Sequence, residues 1–135
     1  MSTRGTITVV RGKSRKMALI THDATLDTLT YYAKRAFELG ETTPLRFIQR
    51  MNRLGDDDNI RDAQDTIARR ESEWERVPVD AATRERELNY WNGIIEDIQT
   101  SRCRWLVVDR PVSWPFADLT FTVNLTTKTV EQDEL

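Results

Sequence analysis

Apolar and polar side chains alternate at both ends of the chain. Residues 6–10 are β-branched and alternate until the last of them, and the apolar residues 17–20 follow after a turn-like stretch. We therefore predict an N-terminal β-hairpin over residues 5–21. Towards the other end, residues 119–125 alternate more regularly and predict a half-buried strand, with further strands near residues 103–108 and 129–131.

The residues between these strands follow a helical spacing. A first helix begins at Asp23 or Thr25, either of which can cap it, and ends at Gly40. A second begins at Thr43-Pro44, where a capping residue precedes a proline at the first helical position, and ends at Gly55. Both helices place apolar side chains three or four residues apart, which predicts one buried face on each.

Two further helices complete the middle of the chain, residues 23–100. The polar residues 56–59 form a loop and an acidic helix start, and the third helix runs from there to Pro78. Asp80 caps the fourth, whose apolar stripe ends at Ile98. The order predicts an α+β fold: a single domain over residues 1–135, with an antiparallel sheet built from both chain ends and about four central helices on one face. The C-terminal strands occupy residues 103–131.

Composition restricts the class of protein. The chain has 135 residues, of which 39% are hydrophobic and 31% charged, as expected for one globular domain. No stretch approaches the roughly 20 apolar residues of a membrane span, and we expect no signal segment and no membrane partner. The chain contains one cysteine and one histidine. We therefore expect a reducing, cytoplasmic compartment, no cofactor and no metal site.

Charge is distributed unevenly along the chain. Residues 1–22 carry a net charge of +5, residues 23–100 carry −6 and residues 101–135 carry −1. Arginine outnumbers lysine 16 to 4, and the planar guanidinium binds phosphate or carboxylate with two parallel hydrogen bonds. Codon preference of a GC-rich genome is the alternative explanation for the arginine excess. A pI near 5.5 argues against general binding of duplex DNA.

The predicted tip of the hairpin is basic. Arg11, Lys13 and Arg15 are candidates for holding phosphate there, because backbone N–H groups of a turn also face an anion. Gly12-Lys13-Ser14 does not qualify as a phosphate-binding P-loop, since the required earlier glycine is absent and a strand follows. A solvated turn is the alternative interpretation of the same residues.

A second candidate region interleaves arginine and tryptophan. Arg104 and Arg110 are candidates for binding phosphate or a base edge, and Trp114 is a candidate for stacking on a base. In a strand over residues 103–108, Arg104 and Trp105 lie on opposite faces, so they do not hold one ligand together. Ordinary sheet packing is the alternative for this segment.

Catalytic residues do not form a recognisable pattern. His22 stands before the first helix, where the helix dipole favours a neutral imidazole that donates one hydrogen bond to a ligand. Its alternatives are a structural or capping role, or a small enzyme that uses His22 with a carboxylate. The sequence has no catalytic triad, cofactor fingerprint or metal-ligand cluster, and we therefore expect a binding protein rather than an enzyme.

The chain ends resemble those of a group of small phage and prophage proteins. These begin with a Thr-Arg-x-x-Ile strand, as Thr3-Arg4-Gly5-Thr6-Ile7 does here, and carry a His-Asp segment after the first hairpin, as His22-Asp23 does. Residues 118–130 are similar to their ending. Residues 24–26 depart from the Gly-Tyr-Pro that follows the His-Asp pair in the group. The resemblance implies a phage protein acting in the cytoplasm of a bacterial host.

Two functions from different classes follow from these features. The first is a counter-defence protein, a homo-oligomer that sequesters an anionic nucleotide signal of host immunity without catalysis. Its basis is the arginine excess together with the two basic regions. The alternative is a protein–protein inhibitor of a host defence complex, of the anti-CRISPR kind, whose mixed-charge helices over residues 57–100 supply the interface.

Overall fold

The computed structural model describes residues 4–20, 24–100, 105–108 and 117–133. These residues form five strands and three helices, in the order β1 (Gly5–Arg11), β2 (Ser14–Ile20), α1 (Leu26–Glu38), α2 (Pro44–Arg76), α3 (Ala81–Thr100), β3 (Leu106–Val108), β4 (Leu119–Asn124) and β5 (Thr129–Gln132). The α+β class predicted from the sequence is confirmed.

The N-terminal hairpin forms where the alternation predicts it. β1 and β2 pair antiparallel, with Gly5 opposite Ile20 and Arg11 opposite Ser14. Two residues connect the strands, and the first of them, Gly12, has a φ of 59°. A type II′ turn requires this left-handed conformation at its first central position, and glycine adopts it without strain.

The strands form one mixed sheet in the order β3-β2-β1-β4-β5. The prediction of an antiparallel sheet is wrong at its centre, where β1 and β4 run parallel and Ile7 lies beside Phe121. The other paired strands are antiparallel. β2 already occupies one edge of β1, and the helical middle of the chain gives β4 enough length to return in the same direction along the other edge.

The core lies between one face of this sheet and the helices α1 and α2. Its buried members are Ile7, Val9, Ala18, Ile20, Ala24, Leu29, Ala33, Ala36, Phe47, Ile48, Met51, Phe121 and Val123. Gly5 starts β1 against the backbone of β4. A Cβ there would lie 2.7 Å from the Leu119 carbonyl oxygen and 2.9 Å from the Ala24 Cβ, so the close approach requires glycine.

Both ends of α1 follow the sequence prediction. Thr25 caps its start by accepting a hydrogen bond from a backbone N–H of the first turn. At its end Gly40 has a φ of 81°. The N–H of Gly40 donates to the Phe37 carbonyl and the N–H of Glu41 to the Ala36 carbonyl, at 3.0 and 3.3 Å. This pair of bonds is a Schellman motif, which ends the helix and fixes the direction of the following residues.

α2 is one continuous helix of 33 residues, whereas the sequence predicts two helices separated by a loop. Gly55, the predicted end, lies inside it, and residues 56–58 continue the helix instead of starting a new one. A glycine ends a helix when it takes the left-handed conformation, which Gly40 adopts and Gly55 does not. A helical glycine costs only about 1 kcal/mol relative to alanine, too little to interrupt α2. The described residues therefore form three helices rather than the predicted four.

The chain divides into two compact units. Met1–Leu54 with Cys103–Leu135 is the first and contains the sheet, α1 and the start of α2. Gly55–Arg102 is the second, which we call the helical hairpin, and contains the rest of α2 and α3. One domain over residues 1–135 stays a prediction.

The helices of the hairpin run antiparallel. Arg70 contacts Glu87 at 2.7 Å, and Arg84 lies over the Trp74 ring. The predicted apolar stripe of α3 is only partly buried: Ile98 is 5% exposed, whereas Leu88, Trp91 and Ile95 are half-buried. Among the described residues, no helix is both long and apolar enough to cross a membrane.

Candidate functional site

Arginine side chains collect on one face of the first part of α2. Arg46, Gln49, Arg50 and Arg53 are spaced at three, four and seven residues from the first, so they share one side of the helix. The opposite side faces the core, where Phe47 is fully buried. We call these four residues the arginine face.

An open cleft of about 310 Å³ lies at the arginine face, and Glu41 completes its lining. Three arginines and one glutamate give this cleft a net charge of +2. Its volume is at the lower end of the range found for small-ligand sites. Size and charge together suit a compact anion.

Glu41 fixes the central arginine of the face. The Nε and Nη2 atoms of Arg50 both lie 3.0 Å from the same Glu41 oxygen, Oε1. The Glu41 side chain is 16% exposed and that of Arg50 is 39% exposed. The Schellman motif after α1 sets the backbone of Glu41, so the end of one helix orients a side chain on the next.

The arginines that flank Arg50 differ from it in the contacts of their guanidinium groups. Within the described part of the chain, the guanidinium groups of Arg46 and Arg53 have neither an ion pair nor a hydrogen bond, and both residues are exposed. An unpaired guanidinium keeps its planar set of donors available for a phosphate or carboxylate. Among the described residues, the arginine face therefore presents one free cation on each side of the paired Arg50.

The two units differ in charge. Met1–Leu54 with Cys103–Leu135 carries 13 basic and 9 acidic side chains, a net charge of +4. The helical hairpin carries 7 basic and 13 acidic side chains, a net charge of −6. The cleft thus belongs to the unit whose overall charge attracts an anion.

The side chains of the predicted basic hairpin tip are exposed, but they do not all lie on the same side of the hairpin. Arg11, Lys13 and Arg15 are all exposed. The strand pleat places Arg11 on the side of the core-facing residues of β1 and Arg15, opposite Val10, on the other side. Nη1 of Arg11 donates to the Thr42 carbonyl at 2.8 Å, which brings it to the loop that carries Glu41. Of the three, Arg11 is the one that contacts this loop.

The other predicted site residues lie outside the described residues: His22, Arg104, Arg110 and Trp114. Their described neighbours follow the predicted alternation. Trp105 and Val107 pack against the core, whereas Leu106 is 59% exposed. The face with Trp105 and Val107 therefore packs against the core, which is what the interpretation of this segment as ordinary sheet packing predicts for these two residues.

The helical hairpin carries mainly structural interactions. Asp80 Oδ1 accepts the Thr83 backbone N–H at 2.6 Å and so caps α3. Hydrogen bonds from the side chain and then the backbone of Thr83 hold the pKa of Asp80 below its ordinary value, because they stabilise the carboxylate. Among the described residues, no three His, Cys, Asp or Glu side chains come together as a metal-binding group.

Comparisons of this chain with protein-family models, with curated proteins and with solved structures find no match.

The arginine face was not among the sites predicted from the sequence. The sequence does contain a pattern that indicates it. Arg46, Arg50 and Arg53 follow a helical spacing that places them on one side of the helix, with the apolar Ile48 and Met51 on the other. The net charge of −6 over residues 23–100 concealed it, because that stretch joins a basic helix start to an acidic hairpin.

Proposed function

We propose that this protein binds a small anionic nucleotide at the arginine face and sequesters it without converting it. The observation that carries the proposal is the arrangement around the cleft, with Arg50 fixed by Glu41 between Arg46 and Arg53, whose guanidinium groups have no partner among the described residues. Charge-assisted hydrogen bonds from arginine to phosphate are the strong contacts of such a site.

The biological setting we propose is counter-defence. Its support is the resemblance of the chain ends to small phage proteins, together with the positive charge of the unit that holds the cleft. A protein of this kind removes a nucleotide signal of host immunity from the bacterial cytoplasm by binding it. We also propose that it works as a homo-oligomer, in which Arg104, Arg110 and Trp114 contribute to the ligand site.

The test is nucleotide binding by native mass spectrometry and calorimetry, with a panel of cyclic and linear nucleotides. We expect Arg46→Ala with Arg53→Ala to weaken binding at least about 100-fold, since each of the two lost charge-assisted hydrogen bonds contributes roughly 1.5–3 kcal/mol. Arg69→Ala with Arg76→Ala is the matched control, because it removes the same charge from exposed positions of the same helix. Equal losses in both variants, or no nucleotide binding by the unmodified protein, would refute the proposal.

The residues predicted near the C-terminal strands are tested in the same assay. We expect Arg104→Ala with Arg110→Ala to weaken nucleotide binding, and native mass spectrometry reports the oligomeric state at the same time. Unchanged affinity in this variant excludes the two arginines from the site, whatever the result at the arginine face.

A second candidate function is inhibition of a host defence protein through the helical hairpin. The observation that favours it is an aromatic pair on α3, in which Tyr90 is 62% exposed and packs edge-on against Trp91 at 5.1 Å. Exposed aromatic side chains are frequent anchors of protein interfaces. An inhibitor would ignore nucleotides and co-purify with a host complex, and Tyr90→Ala would weaken that association.

A further inference from the structure

We infer that the arginine face selects a nucleotide whose two phosphate groups are separated by the ribose over one whose phosphates are adjacent, and that Glu41 sets this selectivity. The inference rests on the proposed anion-binding function and adds the class of ligand. It follows from how the charges are spaced along α2 and from Glu41, the one carboxylate among the described residues that line the cleft.

The two free cations of the face are two helical turns apart. Arg46 and Arg53 are separated by seven residues, which corresponds to about 10 Å along the helix axis. Both are exposed and, among the described residues, unpaired. This axial spacing exceeds the span of a single phosphate or of two phosphates joined directly, so such a group contacts both guanidinium groups only if the two side chains bend towards each other.

The centre of the face does not attract an anion in the same way. Glu41 Oε1 accepts from both Nε and Nη2 of Arg50, so the positive charge of Arg50 is already balanced. A phosphate placed there meets the Glu41 carboxylate, which is only 16% exposed and therefore weakly screened by water. The order of charges along the face is cation, neutral pair, cation.

The groups between the cations suit an uncharged polar segment. Gln49 lies next to Arg50 on the cleft, and its amide both donates and accepts hydrogen bonds. A ribose hydroxyl or a base edge requires such partners. A nucleotide whose ribose carries a phosphate on either side matches the sequence of anion, polar segment and anion that this face complements.

Two isomeric ligands test the inference. Adenosine 3′,5′-bisphosphate separates its two phosphates by the ribose, whereas ADP joins them directly. We expect the unmodified protein to bind the bisphosphate about tenfold more tightly than ADP by calorimetry. In Glu41→Gln, Arg50 is released and adjacent phosphates gain a neighbouring cation. ADP affinity should then rise about tenfold, and the preference should disappear.

The quantity to compare between variants is the ratio of the bisphosphate affinity to the ADP affinity. The two ligands differ in charge in the same way for every variant, so a change in this ratio comes from the protein. Arg46→Ala and Arg53→Ala, singly, keep Glu41 and should each lower bisphosphate affinity to the level of ADP. If Glu41→Gln does not fold, these two variants still test the first part of the inference, the selection of the bisphosphate by two separated cations. Equal binding of both ligands by the unmodified protein, or a preference that survives Glu41→Gln, overturns the inference while leaving anion binding intact. Failure to bind any nucleotide overturns the proposed function itself.

Discussion

Arg84 lies over the indole of Trp74, with its guanidinium carbon 5.6 Å from the ring centroid. Its Nη2 donates to the Trp74 carbonyl at 3.5 Å, so one side chain of α3 covers both the ring and the backbone of α2. Its Nε is buried without a hydrogen-bond partner in the described part of the chain. The contact therefore combines favourable packing with an incompletely satisfied polar group.

This combination predicts different effects for two substitutions of Arg84. Arg84→Ala removes the side chain from the Trp74 ring and should lower the free energy of unfolding by about 1–2 kcal/mol. Arg84→Met keeps much of the packing without the buried N–H and should change it by less than about 1 kcal/mol. Urea unfolding followed by tryptophan fluorescence measures both. Arg86→Ala, at an exposed neighbouring position, is the control. Equal losses for Ala and Met would contradict this account.

Gly5→Ala should destabilise the sheet. The new Cβ would meet the Leu119 carbonyl oxygen at 2.7 Å, and a paired strand cannot shift away without losing its hydrogen bonds. We expect a loss of about 1–3 kcal/mol in the free energy of unfolding. Gly93→Ala is the opposite case, because no other described part of the chain lies within 4 Å of a Cβ there and the residue is inside α3. Chemical denaturation should show a gain of up to about 1 kcal/mol for Gly93→Ala.

Phe47→Ala should be among the most damaging substitutions in the core. Phe47 is fully buried, and its ring centroid lies 4.8 Å from that of Phe37. Removing it leaves a cavity under α2, with an expected loss of about 3–5 kcal/mol. Leu45→Ala, two residues earlier at a 39% exposed position, should cost far less. Thermal unfolding measures both variants. Similar midpoints for the two would contradict the packing of α2 on the sheet through the face that carries Phe47.

Stability of the helical hairpin should fall in acid through Asp80. Its pKa is lowered in the folded protein by the hydrogen bonds from Thr83, so its contribution is complete above the unfolded value and is lost as pH falls through the folded value. The loss should therefore begin below about pH 4. Asp80→Asn keeps a capping oxygen without a charge and should lack this part of the pH dependence. Because other carboxylates titrate in the same range, the measured quantity is the difference between the two proteins in thermal unfolding between pH 6 and pH 2.5. A constant difference would rule out the role of Asp80.

Local patterns predicted much of the fold correctly. The hairpin turn at Gly12, the caps Asp80 and Thr25 (the latter one of two predicted alternatives) and the helix end at Gly40 all depend on a few consecutive residues. The alternation of β4 likewise predicted that Phe121 faces the core. Each of these features is decided by backbone conformation or by the face of a single element, which the sequence records directly.

The candidate site was harder to predict, because its parts come from different elements. Arg50 and Glu41 are nine residues apart, on a helix and in the loop before it. The spacing of arginines on α2 was visible, yet nothing in the sequence indicated which of them a carboxylate would neutralise. That depends on the Schellman turn at the end of α1 and on the packing of both helices against the sheet.

The sequence by itself determined the class of the fold, most helix ends and the core-facing side of β4, since these follow from interactions between residues close along the chain. Only the tertiary structure decided that β4 pairs parallel with β1 and that α2 continues through Gly55. Strand partners depend on which edge remains free after the hairpin has formed. Whether a helix continues through a glycine depends on a free-energy difference of only about 1 kcal/mol, which local sequence patterns do not predict. The ion pair of Arg50 with Glu41, between Arg46 and Arg53, likewise exists only once α1 and α2 have packed together.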